Sequence, residues 1–560
     1  MPPRLIVRAA RTVAQRGPRG CAPLLCVFAA LACLAPAARA RDTYARLAWL
    51  DASEYHIRLT IPEASDEISA ETTINFELKA DAPRELPIDF GALNVEGVTV
   101  NGRAAEFKQT EGHLLVALAN EYRNGDQLTV SVKYHGRPAD GLFFKRNKFG
   151  DRTIFADNWP NRAHHWFPSI DHPYDKARVE FEVTAPARYD VIANGRMLET
   201  RSLQDGTRLT RWREDVEIPV YCMVVGATEF TMLDAGAFGG SRLSYYLYPK
   251  DRDKGLRDYG RALRAADFFE RLVGPYPYEK LALVESSTRF GGMENSSSIF
   301  FDENSYDGSG KLEGTVAHEI AHQWFGDSVT EADWHHLWLS EGFATYFGAL
   351  FYEHADGRAR FIQMMRAARE RYMKDADAVS RPVVDPSVTD LFKLLNRNNY
   401  EKGAWVLHML RRKMGDENFF RGISEYYRTR RDRNAMTEDL ESVMENYAGG
   451  AGSLDVFFKQ WLYRPGYPAF DVRWYWVGDA TQACMRVRQT QPGPPFETDV
   501  DIELVTRGES RSRPIHVSER NQLFCVQTGH KPDAINLDPD DWLLKTATVR
   551  EVSSSIDAEK

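Results

Sequence analysis

No low-complexity tract and no internal repeat interrupts this 560-residue chain, which sets aside a solenoid, and its 43% hydrophobic content sets aside intrinsic disorder. No apolar stretch near its start is long enough to span a bilayer. The candidate, APLLCVFAALACLA, falls short of the roughly 20 residues a spanning helix needs and runs into Pro36. No adjacent arginine pair precedes it, which argues against a twin-arginine signal. Positive charge is in deficit, with 71 Lys and Arg against 80 Asp and Glu, a formal net charge of −9. Residues 1–40 hold six arginines and no acid, so without them the balance is −9 − 6 = −15. Such a surface repels phosphate backbones and excludes nucleic acid as the expected partner. Cysteine is scarce too. Of six, Cys21, Cys26 and Cys33 lie in the first forty residues. Cys484 and Cys525, in two strand-like segments, either form a disulfide or stand as separate buried thiols.

The first forty residues have the order of a secretory signal: Arg4, Arg8, Arg11, Arg16 and Arg19, then the apolar stretch, then Ala38-Arg39-Ala40 as a small-x-small cleavage site. Cleavage after Ala40 predicts a periplasmic or secreted protein with no stable membrane span; retention as an anchor is the alternative. The remaining length exceeds what one hydrophobic core organises. From 41 to 232 apolar residues alternate, as at Tyr55, Ile57, Leu59 and Ile61, and predict an N-terminal antiparallel β domain. From 233 to 464 the period becomes helical. KGLRDYGRALRAADFFERLVGPYPY places Leu256, Tyr259 and Leu263 on one helical face and ends at Gly274-Pro275. From 465 to 552 alternation returns in DVRWYWV, CMRVRQT and DVDIELVT and predicts a small C-terminal β-sandwich, with residues 553–560 as a flexible tail. The fold class expected is therefore multidomain α+β.

Within the helical region, GTVAHEIAHQWFGDSV carries His318 and His322 four apart with Glu319 between them. Positions i and i+4 share a helix face, so both imidazoles can meet one ion while Glu319, turned about 100° away, reaches the ion's water. Two histidines at this spacing also suit a packed helix face. A catalytic zinc takes three protein ligands and keeps one position open. Glu341 in LWLSEGFATYFGALFY supplies the third: a glutamate in apolar company needs a partner.

HEIAHQWFG, with eighteen residues between His322 and Glu341 in EGFATY, resembles the zinc signature of the M1 aminopeptidases, gluzincins related to thermolysin. The resemblance extends to GGMENSSSIFF, YEKGAWVLHML and HWFPSIDHPYDKARVEFEVTAP, and covers most of the chain from Ala156 to Pro468. It implies a thermolysin-like catalytic domain with one zinc ion per chain, bound by His318, His322 and Glu341. It implies Glu319 as general base, Tyr400 as donor to the tetrahedral oxyanion, and Glu294 as anchor of the substrate's α-ammonium. Gly291 and Gly292 would let an extended peptide bond to the backbone as an added strand. The implied substrates are peptides with a free N-terminus; nothing in the sequence speaks to oligomeric state.

Several residues depart from the family pattern. Asp157 stands where many members carry a pocket-lining glutamine, and the expectation is that it helps Glu294 hold the ammonium. In some acidic-selective relatives an Asp there joins a calcium site, but Arg162 replaces the acidic partner five residues on. His335 and His336 replace other polar residues and are read as structural. The large C-terminal helical domain of many members is expected to be absent after the small β region. Two other readings stand beside the aminopeptidase: a bifunctional aminopeptidase and epoxide hydrolase, and a catalytically inactive peptide-binding scaffold. The scaffold reading expects a lost ligand, base or tyrosine, and here all are present.

Overall fold

Alternation over Leu50–Thr60, shifted once by a bulge between Ala52 and Glu54, and over Ile68–Leu78 buries Tyr55, Ile57, Leu59, Ile74 and Phe76, and these two strands form the centre of an eight-stranded sheet. The computed structural model describes residues 42–555, so the signal reading and most of the polar tail fall outside it. The sheet runs Arg196–Ser202, Thr207–Pro219, Lys176–Pro186, Leu50–Thr60, Ile68–Leu78, Gln127–Gly136, Asn94–Val100, Arg103–Ala104. Its pairings are antiparallel except one: Leu50–Thr60 lies parallel to Lys176–Pro186. The expected antiparallel β region thus contains one parallel junction, made by a strand returning from far along the chain.

The helical period expected from Leu233 onward does not begin there. The first elements are Thr231–Phe238, Ser241–Leu247 and Lys280–Ser286, which join Ser298–Asp302 and Gly292–Met293 in a mixed five-stranded sheet. The short strand Gly292–Met293 is its edge. The helical stretch around Tyr259 is also broken, into α1 (Arg252–Asp258) and α2 (Ala262–Val273). Because the chain turns between them, Leu256 and Tyr259 do not share a buried face: Leu256 is 38% exposed and Tyr259 fully buried.

Eight further helices follow: α3 (Glu313–His322), α4 (Trp338–Asp356), α5 (Arg358–Lys374), α6 (Ala376–Ser380), α7 (Gly403–Met414), α8 (Asp416–Arg430), α9 (Thr437–Ala448) and α10 (Asp455–Leu462). A π-helical turn, Asn398–Lys402, leads into α7. Residues Trp338 to Tyr352 of α4 are buried on nearly every side, the pattern of a helix at the centre of a core. The chain closes in two packed sheets, Asn521–Gln527, Gln482–Gln489, Ala469–Val477, Thr546–Glu551 and Glu509–Val517, Thr498–Thr506, Ala534–Leu537. Cys484 and Cys525 face each other across neighbouring strands and are bonded. Among the described residues no helix is long and apolar enough to cross a membrane.

Gly342 and Gly403 set how close α4 comes to the turn before α7. A Cβ on Gly342 would lie 2.9 Å from the Gly403 Cα, and one on Gly403 would lie 3.0 Å from the Gly342 Cα. Both obstacles are backbone, so neither can swing aside. Gly342→Ala gains about 1 kcal/mol of helix propensity and loses about 1–3 kcal/mol to overpacking. The expected net result is a lower melting temperature in a calorimetric scan; an unchanged or higher one would rule out the close approach.

Candidate functional site

A helix of 3.6 residues per turn stacks His318 and His322 on one face of α3, with their Nε2 atoms 3.0 Å apart. The first turn of α4 brings Glu341 against them. Its Oε2 lies 3.2 Å from His318 Nε2 and 3.3 Å from His322 Nε2. Burial at 6% exposure opposes ionisation of Glu341, but His322 and His318 outweigh it and hold the carboxyl well below the usual range. Glu341 in turn raises His322 well above an ordinary histidine, against burial, whereas burial dominates at His318 and lowers it. His322 Nδ1 lies 3.1 Å from the Phe325 carbonyl and 3.0 Å from Ser340 Oγ. The carbonyl can only accept, so Nδ1 carries the proton in the neutral ring and Nε2 turns its lone pair to the other two groups. Two nitrogens and one oxygen within 3.3 Å of each other form the donor set of a catalytic zinc with three protein ligands. The residues therefore fit the ion. A second group, Glu294, Glu319 and His322, is looser, its ligand atoms lying within 4.8 Å.

Glu319 points from the adjacent face of α3 to the edge strand of the five-stranded sheet. A Cβ on Gly292 would lie 2.3 Å from Glu319 Oε1, so only glycine leaves the carboxyl its place. Gly291, by contrast, has open space where its Cβ would be. Burial, reinforced by Glu294 and Glu341, pushes Glu319 well above the usual carboxylate range. Burial and Glu341 push Glu294 up to about 7, with His322 opposing. Tyr400, in the π-helical turn, donates from its hydroxyl to Glu341 Oε1 at 2.6 Å and stacks on His318, ring planes 7° apart.

His318, Glu319, His322, Glu341, Tyr400, Glu294, Gly291 and Gly292 all line one cavity of about 400 Å³, with Trp159, Phe290, Met293, Gly314, Thr315, Thr345, Arg371, Leu395 and Glu401 completing its wall. Asp157 is not among them. It is buried, ion-paired with Arg162, and its other oxygen lies 3.7 Å from Arg289 Nε. The expectation that it holds an ammonium beside Glu294 finds no support in this arrangement, because its carboxyl faces two guanidinium groups. His335 is ion-paired with Asp333 and hydrogen-bonds the Val388 carbonyl, and His336 bonds to Thr437 Oγ1, none of them lining the cavity. His164 is paired with Asp171.

Gln323 was not singled out by the sequence, yet it fastens the GGMEN loop to α3. Its Nε2 donates to the Glu294 carbonyl at 2.6 Å and to Asp327 Oδ2 at 2.8 Å, while its Oε1 accepts from Ser297 N at 2.8 Å. Its place four residues after Glu319, directly behind His322, was the available signal.

Residues 260–461 match the model of the peptidase family M1 domain and residues 51–222 that of the peptidase M1 N-terminal domain. The chain is similar to tricorn protease-interacting factor F2 of Thermoplasma acidophilum, 29% identical over 70% of this chain and 50% of the relative. It is 30% identical to human endoplasmic reticulum aminopeptidase 2 over 57% of this chain and 35% of the relative. Probable aminopeptidase 1 of Saccharolobus solfataricus is 28% identical over 70% of this chain and 51% of its own length. The chain thus spans about half the length of these relatives, or less.

Ser340→Ala removes one of the two groups that orient His322. Zinc affinity, measured by competition with a chromogenic chelator, is expected to fall about tenfold; an unchanged affinity would mean that the Phe325 carbonyl suffices.

Proposed function

The chain belongs to peptidase family M1, and from that premise we propose that it is a zinc-dependent aminopeptidase that hydrolyses the first peptide bond of peptides with a free N-terminus. The observation that carries this reading is the meeting of His318, His322 and Glu341 with Glu319, Tyr400 and Glu294 in one cavity. His318, His322 and Glu341 would hold one zinc ion. A zinc ion there supplies Lewis acidity, polarising an amide carbonyl and acidifying water.

The protein's own groups do the rest. Glu319 takes a proton from the attacking water onto its carboxylate and delivers it to the nitrogen of the leaving amine, so the base ends as it began. Tyr400 offers its hydroxyl to the oxygen that becomes negative as the carbonyl carbon turns tetrahedral. Glu294 places a fixed carboxylate where a substrate's ammonium belongs, which rewards a peptide that begins in the cavity over one that passes through it. The edge strand Gly292–Met293 offers unpaired backbone groups to the extended peptide. A cleaved signal ending at Ala40 would place the protein in the periplasm or outside the cell.

The test is a matched pair, an aminoacyl anilide with a free α-amine and its N-acetylated twin. Cleavage of the free amine alone, lost with a chelator and regained with zinc, is the expected result. If both twins are cut, the exopeptidase assignment fails; if zinc-loaded protein cuts neither, the scaffold reading replaces it. Glu319→Gln is expected to lower kcat by about 10²–10⁴ with the zinc content unchanged by elemental analysis. Glu294→Gln is expected to act mainly by raising KM for the free amine.

A further inference from the structure

Arg371 is the one lysine or arginine among the described residues that line the catalytic cavity. It projects from α5 with its side chain half exposed, and its Nε donates to Glu401 Oε1 at 2.8 Å. Arg397 donates to that same oxygen, also at 2.8 Å. Two guanidinium groups thus share one carboxylate, and this part of the wall keeps a surplus positive charge. Glu401 fixes the direction of Arg371 through Nε, which leaves the forked end of the guanidinium for another acceptor.

The position of this charge in the cavity is readable from its neighbours. Glu294 groups with Glu319 and His322, at the C-terminal end of α3. Glu401 follows Tyr400, whose ring stacks on His318, and acts on His318 from that side. The guanidinium is therefore tied to the turn that carries Tyr400, on the His318 side, while the loop of the ammonium anchor is fastened to Gln323, just past His322.

Resting on the aminopeptidase reading, we infer that Arg371 recognises a carboxylate on the leaving side of the scissile bond. The favoured substrates are then short peptides with a free C-terminus. Such a peptide meets a carboxylate at its ammonium end and a guanidinium at its carboxylate end, and a forked guanidinium matches the two oxygens of a carboxylate. Because Arg371 is half exposed, solvent screens the pair, and the preference is expected to be about two- to fivefold rather than a thousandfold.

The experiment compares kcat/KM for X-Ala and X-Ala-Ala with that for their C-terminal amides, X being Ala, Leu and Arg, while anilide cleavage reports the aminopeptidase reading separately. The wild type is expected to prefer the acids about two- to fivefold, chiefly through KM. In Arg371→Gln the acid-to-amide ratio should fall to about one, in Arg371→Glu it should invert, and Arg371→Lys should keep part of it. A wild-type ratio near one overturns the inference, even with anilides cleaved. Equal losses on acid and amide in Arg371→Gln also overturn it, because a role confined to holding Glu401 and Tyr400 would lower both alike. If zinc-loaded wild type cleaves no anilide and no peptide, the aminopeptidase reading falls and the inference with it.

Discussion

The structure turns on one carboxylate that has nowhere else to go. Glu341 enters the protein in the first turn of a helix whose next eleven residues are mostly sealed in the core, so it cannot turn to water without dragging that core along. An unpaired charge there would cost several kcal/mol, and the two imidazoles of α3 with the Tyr400 hydroxyl meet that demand. The elements that complete the site are arranged around this need: α3 lies across α4, and the turn carrying Tyr400 comes down on the Gly342–Gly403 contact. Stability and chemistry thus share the same helix, and the site inherits the rigidity of the core.

Glu294, Glu319 and Glu341 crowd the same dry space around His322. Each opposes ionisation of the others, which is why burial and mutual repulsion lift Glu319 and Glu294 while the imidazoles depress Glu341. A divalent cation among the three donors reverses that logic by favouring every negative form nearby.

The parts of the site most legible in the sequence were those that obey a short-range rule. His318 and His322 follow helix periodicity, and Glu341 stands out as an acid among apolar residues. Tyr400 and Glu294 carry no such mark; only motif resemblance separated them from other tyrosines and glutamates. What stayed hidden depends on contacts between distant segments. Gln323 reaches back to the GGMEN loop, and Gly292 meets a glutamate 27 positions later, neither of which any period reveals. At Asp157 the needed residue was in view: Arg162, five positions on, was noted as a missing acid rather than as the partner that neutralises Asp157. The strands after Thr231 were missed because their alternation is weak and helical stretches follow closely, and Leu256 because a turn at Tyr259 resets the helical phase.

The contact between Gly292 and Glu319 also limits how the cavity can be remodelled. Natural or laboratory change has no side chain to vary at Gly292 in the edge strand, since even a methyl group there would displace the Glu319 carboxyl. Diversification must be written into the other walls, around Trp159, Phe290, Leu395 and Arg371, while the strip of backbone facing Glu319 stays the same. One point of the pocket wall is thereby closed to adaptation, and under the proposed function it is the point that guards the proton-transferring glutamate.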